Sequence, residues 1–271
     1  MIGITGASGI LGKALLHEFA VMGIDAKPIY RRFQSNSIYA WDLKDPIPSN
    51  FNDFDLIFHC AFSFSDVRTL NSSKVGVSLM GTTELATWGA SANVRIINPS
   101  SVLAVSDLTR YGAEKRRIEQ VMKEYQHINL RLGIVDSEIP LGIIEKYLNS
   151  SPLIPKFFVD RKTKFWISNL GSVAKYVYST SQELSYTQEK SIYVVNSVQE
   201  TLPEIIQRLQ PNKKVFVINL PSVVLLPAIF ILKKFVNSLE AVYDQVLGVS
   251  VYGSSRIGEI ESGWINVMGK D

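Results

Sequence analysis

Ile2-Gly-Ile-Thr-Gly-Ala-Ser-Gly-Ile-Leu-Gly12 sets glycines at 6, 9 and 12 between a short apolar run and a helical pattern. Gly9–Met22 carries Leu11, Leu15, Phe19 and Met22 on one side, and Gly23 follows where a helix would end. A strand, a glycine turn and a helix in that order open a dinucleotide-binding unit. Gly6 permits the tight turn, Gly9 lets the backbone approach a pyrophosphate, and Gly12 lets the helix pack close to the sheet. The phosphates then meet the helix N-terminus, whose free amide hydrogens and dipole favour anions. Gly6, Ser8, Gly9, Ile10, Leu11 and Gly12 are therefore the expected cradle.

Working outward, Ala26–Tyr30 is the second strand and ends Ile29-Tyr-Arg-Arg-Phe33. An acidic side chain there would hold the ribose hydroxyls of NAD, and none is present. Arg31 and Arg32 instead suit a ribose 2′-phosphate, to which guanidinium groups donate paired hydrogen bonds. NADP(H) is the preferred cofactor and NAD(H) the alternative. An extended piece near Ile38–Trp41 follows, then strands at Asp55–Cys60, Val94–Asn98 and Ile128–Leu132, with helices at Ser73–Ser91 and Tyr111–Tyr125 between them.

This alternation predicts an α/β fold, a Rossmann-type doubly wound parallel sheet with a smaller C-terminal substrate domain. Residues 1–135 form the dinucleotide-binding domain. Residues 136–271 are mainly substrate-binding, with segments near 165–200 returning to the first domain: a helix at Leu170–Ser181 and a strand at Ser191–Asn196. Further helices are expected near Leu141–Asn149 and at Leu202–Leu209.

With 271 residues, 46% of them hydrophobic and 20% charged, the chain can bury a sizeable core without staples. A net charge of +3, with Lys and Arg interspersed, argues against nucleic acid as a partner. The single cysteine, Cys60, excludes an internal disulfide; its apolar neighbours mark a buried strand residue in a reducing compartment. The sequence runs at once into the first strand without a secretory signal, so a cytoplasmic protein is expected. Val215–Leu232 is almost wholly apolar, but Asn219, Pro221 and Pro227 interrupt it. A transmembrane span is not expected there; peripheral membrane contact is the alternative. No metal is implied.

Tyr111-Gly-Ala-Glu-Lys115 puts a phenol and an ammonium on neighbouring turns of one helix face. A phenol with an ordinary pKa near 10 is a poor proton shuttle at neutral pH, and a nearby cation stabilises its phenolate. Lys115 is thus expected to tune Tyr111.

With this pair placed after the glycine loop, the sequence resembles the extended short-chain dehydrogenase/reductase family of the NAD-dependent epimerase/dehydratase type, particularly its nucleotide-sugar branch. Trp41-Asp42-Leu43 looks like the family's acidic adenine-contacting dipeptide, Asp55-Leu-Ile-Phe-His-Cys-Ala61 is similar to its fourth-strand motif, and Gly81-Thr82 to its helix motif. Asn129-Leu-Arg-Leu-Gly133 matches the strand after the catalytic helix. The resemblance implies Ser101, Tyr111 and Lys115 as the catalytic set, Ser101 being taken over Ser100 in Pro99-Ser-Ser-Val102. It adds Asp42, Leu43, Cys60, Ala61, Phe62, Tyr111, Lys115 and Ile134 to the cofactor contacts. The interval from Ser101 to Tyr111 is shorter than the family's usual one, so the loop must be tight. Ser78 stands where the family commonly has Asn, and Ser172 where an Asp often sits.

The implied chemistry is hydride exchange between a nicotinamide and a sugar carbon while Tyr111 exchanges a proton with the attached oxygen. Dehydratases of the family need an acidic pair after the active-site hydroxyl; Val102 and Leu103 cannot titrate. Arg31 and Arg32 favour an exchangeable reduced cofactor, hence a reductase of a nucleotide-linked 4-keto sugar, with a 4-epimerase retaining NAD as the alternative. A non-catalytic dinucleotide sensor is the competing class. Ser63, Arg161, Lys164 and Arg256 are candidate contacts for the nucleotide-sugar substrate. A homodimer is a family expectation.

Overall fold

Apolar runs flanked by turns give the central strands, β1 (Ile2–Thr5), β2 (Ala26–Ile29), β3 (Leu56–His59), β4 (Arg95–Ser101) and β5 (Ile128–Leu132). In the computed structural model, residues 1–33, 38–63, 76–105, 109–136, 156–158, 164–182, 192–195, 198–209 and 217–219 are described. The helices are α1 (Ile10–Val21), α2 (Val77–Ala92), α3 (Arg110–Glu124), α4 (Leu170–Gln182) and α5 (Leu202–Leu209). The remaining strands are β6 (Ile134–Asp136), β7 (Lys156–Phe158), β8 (Lys164–Asn169), β9 (Ile192–Val195), β10 (Val198–Thr201) and β11 (Val217–Asn219).

The main sheet is parallel throughout, in the order β2-β1-β3-β4-β5-β9. Outside β2, Ala40 forms a parallel bridge with Tyr30, the remnant of a further edge strand at the extended piece expected near Ile38–Trp41. The chain therefore winds outward from β1 through β2 to that bridge, then returns to place β3 on the other side of β1. Ligands of such sheets bind where the winding reverses, outside the carboxyl ends of the strands. Thr5 is level with Ile29 on one side and His59 on the other. The residues after them, Gly6, Tyr30 and Cys60, consequently emerge together at the reversal point.

Alternation of side chains divides the core in two. On one face Ile4, Phe58, Ile97 and Leu130 pack with Leu15 and Phe19 of α1 and Val173 and Val177 of α4. On the other, Ile57 and Ile96 pack with Leu85 of α2, Ile118 and Met122 of α3, and an aromatic group of Trp41, Phe51 and Phe54. Helices thus cover both faces of a parallel sheet, the doubly wound class that the sequence pattern implies.

Strand β9 joins the main sheet beside β5, and β6 leaves β5 after one residue to pair with β8, which also pairs with β10. β11 pairs with β7. The expected helix near Leu141–Asn149 lies outside the described residues, as does most of Val215–Leu232. Among the described residues no helix is long and apolar enough to cross a membrane.

One polar lock fixes α3 against the sheet. The Arg131 guanidinium in β5 donates two bonds to the Glu119 carboxylate, Nε to Oε1 at 2.8 Å and Nη2 to Oε2 at 2.6 Å. Asn129 donates to the Glu119 carbonyl at 3.2 Å and accepts from Asn98 of β4 at 2.8 Å. Removing one member of such a buried pair leaves the other charge uncompensated. Glu119→Gln should lower unfolding stability by about 3 kcal/mol in chemical denaturation, and Glu119→Met with Arg131→Leu should recover most of it. Equal losses in the single and double variants would show that the lock contributes nothing beyond packing.

Candidate active site

The glycine loop holds its shape through a hydrogen bond from Gly9 N–H to the Gly6 carbonyl at 2.8 Å. Gly6 has φ +62°, and a Cβ there would stand 2.8 Å from the Ala61 nitrogen; at Gly12 it would stand 2.5 Å from the Gly6 carbonyl oxygen. Both positions exclude any side chain. Helix α1 begins with Gly9 as its cap and no capping side chain. Its first intrahelical bond runs from Lys13 N–H to the Gly9 carbonyl, so the N–H groups of Ile10, Leu11 and Gly12 precede the ladder. This is a cradle that suits a phosphate: open amides at a positive helix end, held close against neighbouring backbone because neither Gly6 nor Gly12 carries a Cβ.

At the outer end of the reversal point, Arg31 and Arg32 follow β2 and are exposed. The Arg31 Nε lies 4.0 Å from the Asp42 carboxylate, with side chains 77% and 30% exposed. The sequence assigned these two residues to different parts of a cofactor, and the structure places them on one rim. Leu43 packs directly against Gly81 of α2.

At the inner end, Cys60, Ala61, Phe62 and Ser63 leave β3 beside the glycine loop. Cys60 is half-buried and one residue past the strand, not within it as its apolar neighbours suggested; burial pushes its thiol up against the opposing field of Lys115. The Ser63 N–H donates to the Ser78 hydroxyl of α2 at 2.8 Å. Ser78, noted in the sequence only as a departure from Asn, therefore anchors this turn.

Ser101 closes β4, and its hydroxyl accepts from the Leu103 N–H at 3.2 Å as the chain enters a 3-10 turn over Val102–Val105. Helix α3 starts on Thr109, whose hydroxyl accepts from the Gly112 N–H at 2.9 Å. Gly112 packs against the Leu103 carbonyl so closely that a Cβ would collide with it. The short interval from Ser101 to Tyr111 is accommodated in this way: the 3-10 turn lies directly on the first turn of α3, because Gly112 in that turn has no side chain.

Tyr111 and Lys115 then face Phe62. The Phe62 and Tyr111 rings meet edge to face at 5.7 Å, and the Lys115 Nζ sits 4.4 Å from the Phe62 ring centroid and 5.9 Å from that of Tyr111. Nζ donates to the Pro99 carbonyl at 2.9 Å. Lys115 is only 6% exposed, and burial lowers its pKa to about 8, opposed by Cys60, Glu119 and Glu114. Burial pushes Tyr111 up to about 12. The sequence pointed to Lys115 as what tunes the phenol; the cause that dominates at Tyr111 is burial. The ammonium is engaged by Pro99 and Phe62, and desolvation of the phenolate dominates.

Ser101, Tyr111, Lys115, the glycine loop, Asp42, Leu43 and the Cys60–Ser63 turn thus come to one edge of the sheet, with Ile134 following β5. Arg161 and Arg256 lie outside the described residues, and Lys164 opens β8 with its side chain likewise outside. Sequence reasoning gave no role to Thr5, His59 and Thr82, whose side chains form a buried chain across this edge. His59 stood inside the quoted strand motif, and its polarity among apolar neighbours was the available signal. Among the described residues no group of three His, Cys, Asp or Glu is placed to hold a metal.

Residues 2–132 match the model of the NAD dependent epimerase/dehydratase family. No protein of curated function matches the sequence. Among solved structures, the chain resembles UDP-N-acetylglucosamine 4-epimerase from Bacillus cereus, with TM-score 0.60 at 18% identity over 81% of this chain and 85% of that one. Similar are ADP-L-glycero-D-manno-heptose-6-epimerase of Helicobacter pylori (0.60, 17%, 81% and 85%) and the Thermus thermophilus UDP-glucose 4-epimerase in complex with NAD (0.60, 14%, 81% and 86%). At these identities the structures speak for the fold. Residues 2–132, with their glycine cradle at the reversal point of a doubly wound sheet, are the part of the chain that carries the match to the NAD dependent epimerase/dehydratase family.

Proposed function

We propose that this protein is a nicotinamide-dependent oxidoreductase that reduces the keto group of a nucleotide-linked 4-keto sugar, with NADP(H) as its exchangeable cofactor. The observation that carries the proposal is the placement of Tyr111 and Lys115 on one face of α3, beside the turn leaving β3 and next to the glycine cradle. A dinucleotide bound there supplies the hydride. Ser101 and Tyr111 hold the substrate oxygen, and the Tyr111 phenol gives its proton to that oxygen as the carbonyl carbon is reduced. Lys115 keeps positive charge beside the phenol, so that the phenolate left behind is stabilised. Ile10, Leu11 and Gly12 offer their N–H groups to the pyrophosphate. Asp42 and Leu43 would hold the adenine end of the dinucleotide, and Phe62 with Ala61 its nicotinamide end. Ser63, Arg161, Lys164 and Arg256 are proposed toward the nucleotide sugar, residues 136–271 contributing mainly to its site. A homodimer in the cytoplasm is proposed on the family's pattern.

A second proposal, a 4-epimerase that keeps NAD bound, draws on one observation. Arg31 leans toward the Asp42 carboxylate, so one of the two guanidinium groups meant for a 2′-phosphate already faces an anion. The two are separated by the cofactor they retain and by net turnover: a reductase consumes reduced cofactor steadily with a panel of nucleotide-4-keto sugars, whereas an epimerase isomerises without net consumption.

Three outcomes are expected. Tyr111→Phe should reduce kcat by about 10²-fold or more while leaving dinucleotide affinity near the wild-type value; unchanged hydride transfer would refute the enzymatic proposal in favour of a sensor. Arg31→Ala with Arg32→Ala should weaken NADPH binding by about tenfold or more and leave NADH binding nearly unaltered; equal effects on both would remove the case for the 2′-phosphate.

The third concerns pH. Tyr111, at about 12, stays protonated and able to donate through the neutral range, whereas Lys115 loses its proton near pH 8. The rate of reduction, read as kcat/KM, should hold level below pH 8 and fall as pH rises through that value. Lys115→Arg, which stays charged, should abolish the limb near pH 8 whatever its effect on the plateau. A limb that stays in place would mean that another group sets it.

A further inference from the structure

His59 is 2% exposed and stands between two buried threonines, Thr5 at 1% and Thr82 at 1%. Its Nδ1 lies 2.8 Å from Thr5 Oγ1 and its Nε2 lies 3.0 Å from Thr82 Oγ1. Thr5 Oγ1 also accepts from the Ala61 N–H at 3.2 Å. Burial, reinforced by Lys115, lowers the imidazole to about 3, so it is neutral at physiological pH. A neutral ring has one donor and one acceptor, and two hydroxyls are the partners that satisfy both.

Each end of this chain reaches a different wall of the cradle. Thr5 immediately precedes Gly6, whose Cα rests on the Cys60–Ala61 peptide. Ala61 leads into Phe62, which covers Lys115. Thr82 adjoins Gly81, which packs on Leu43. The mechanism proposed above uses none of the three polar side chains, yet they join three of the segments on which it depends.

We infer that His59 is a positioning residue that holds three cofactor-facing segments in register: the glycine loop, the turn leaving β3 and the Leu43 wall. The inference rests on the proposed dinucleotide site. It has an internal asymmetry that a merely structural role lacks. Thr82 is on α2, where Thr83 donates to the Leu79 carbonyl and Thr87 to the Thr83 carbonyl, each at 2.8 Å. A helical threonine deprived of His59 has the same recourse to the carbonyl four residues before it. Thr5 sits at the end of a strand, with no carbonyl one helical turn back to take its proton, although its Oγ1 still accepts from the Ala61 N–H. The contact at Nδ1 therefore matters more to the cradle than the contact at Nε2.

The test compares three variants of the full chain by titration with NADPH and NADH, following nucleotide fluorescence, with thermal melts alongside. His59→Asn keeps a polar atom near Nδ1, His59→Gln keeps one near Nε2, and His59→Leu keeps neither. Expected is dissociation weakened about tenfold or more in His59→Leu and His59→Gln, and within about threefold of wild type in His59→Asn. In turnover, the cofactor KM should rise in the same order while kcat at saturating cofactor stays within about twofold. Should His59→Leu fail to fold, the Asn and Gln variants decide. Equal affinities in these two, or affinities that track melting temperature alone, overturn the inference and leave dinucleotide binding standing. Wild-type protein that binds neither nucleotide overturns the proposed site itself, and this inference with it.

Discussion

The contact of Gly6 with the Cys60–Ala61 peptide is the constraint on which the rest of the site depends. β1 and β3 lie side by side in register, with Thr5 level with His59, so both chains leave the sheet at one height and compete for the same space. The conflict is resolved by a residue without a side chain at φ +62°, which turns the chain from β1 into α1 while its Cα lies on the neighbouring peptide. Only then do the first amides of α1 open toward the reversal point. A bulkier residue would push the two strand ends apart or turn the helix away, with the Phe62 turn and Tyr111 following.

The same closeness explains the electrostatics at the inner end. Phe62 contacts both Tyr111 and Lys115, and desolvation acts against the charged form of each partner. The phenol rises and the ammonium falls, so the protein keeps both closer to neutrality than their ordinary values would. Coulomb interactions strengthen as the local dielectric falls. The raised phenol thus keeps its proton through the neutral range.

How much of this the sequence carried follows from the range of the interactions involved. Strand, turn and helix at Ile2–Met22 are local, and periodicity with three glycines sufficed to place them. The parallel order also followed, because helices between strands leave little choice of connection. The tight Ser101–Tyr111 connection was legible as a count of residues, but its solution, Gly112 seated on the Leu103 carbonyl, depends on two segments meeting in space. Ser78 was visible as an unusual residue whose partner, the Ser63 N–H, was not. Lys115 is similar: helical spacing puts it near Tyr111, but the Pro99 carbonyl of β4 that accepts from its amine comes from a distant segment. The basic residues at 161, 164 and 256 had only composition to recommend them, and composition does not fix position.

Polar groups inside the fold cluster where orientation, more than stability, is at stake. A buried ion pair such as Glu119–Arg131 gains little over apolar packing, because desolvation offsets most of its Coulomb energy. Its two-pronged geometry, however, admits one rotation of α3 about its axis, and Glu119 is one turn beyond Lys115 on the same helix. Apolar contacts of Ile118 and Met122 would tolerate some rolling of that helix, since packing is less directional than paired hydrogen bonds. A roll of one residue turns a helix by about 100° and would carry Tyr111 and Lys115 away from the crevice. The Glu119–Arg131 lock on α3 and the Thr5–His59–Thr82 chain beside the glycine loop therefore act alike: each places polar groups in the interior to fix an angle that hydrophobic burial leaves free.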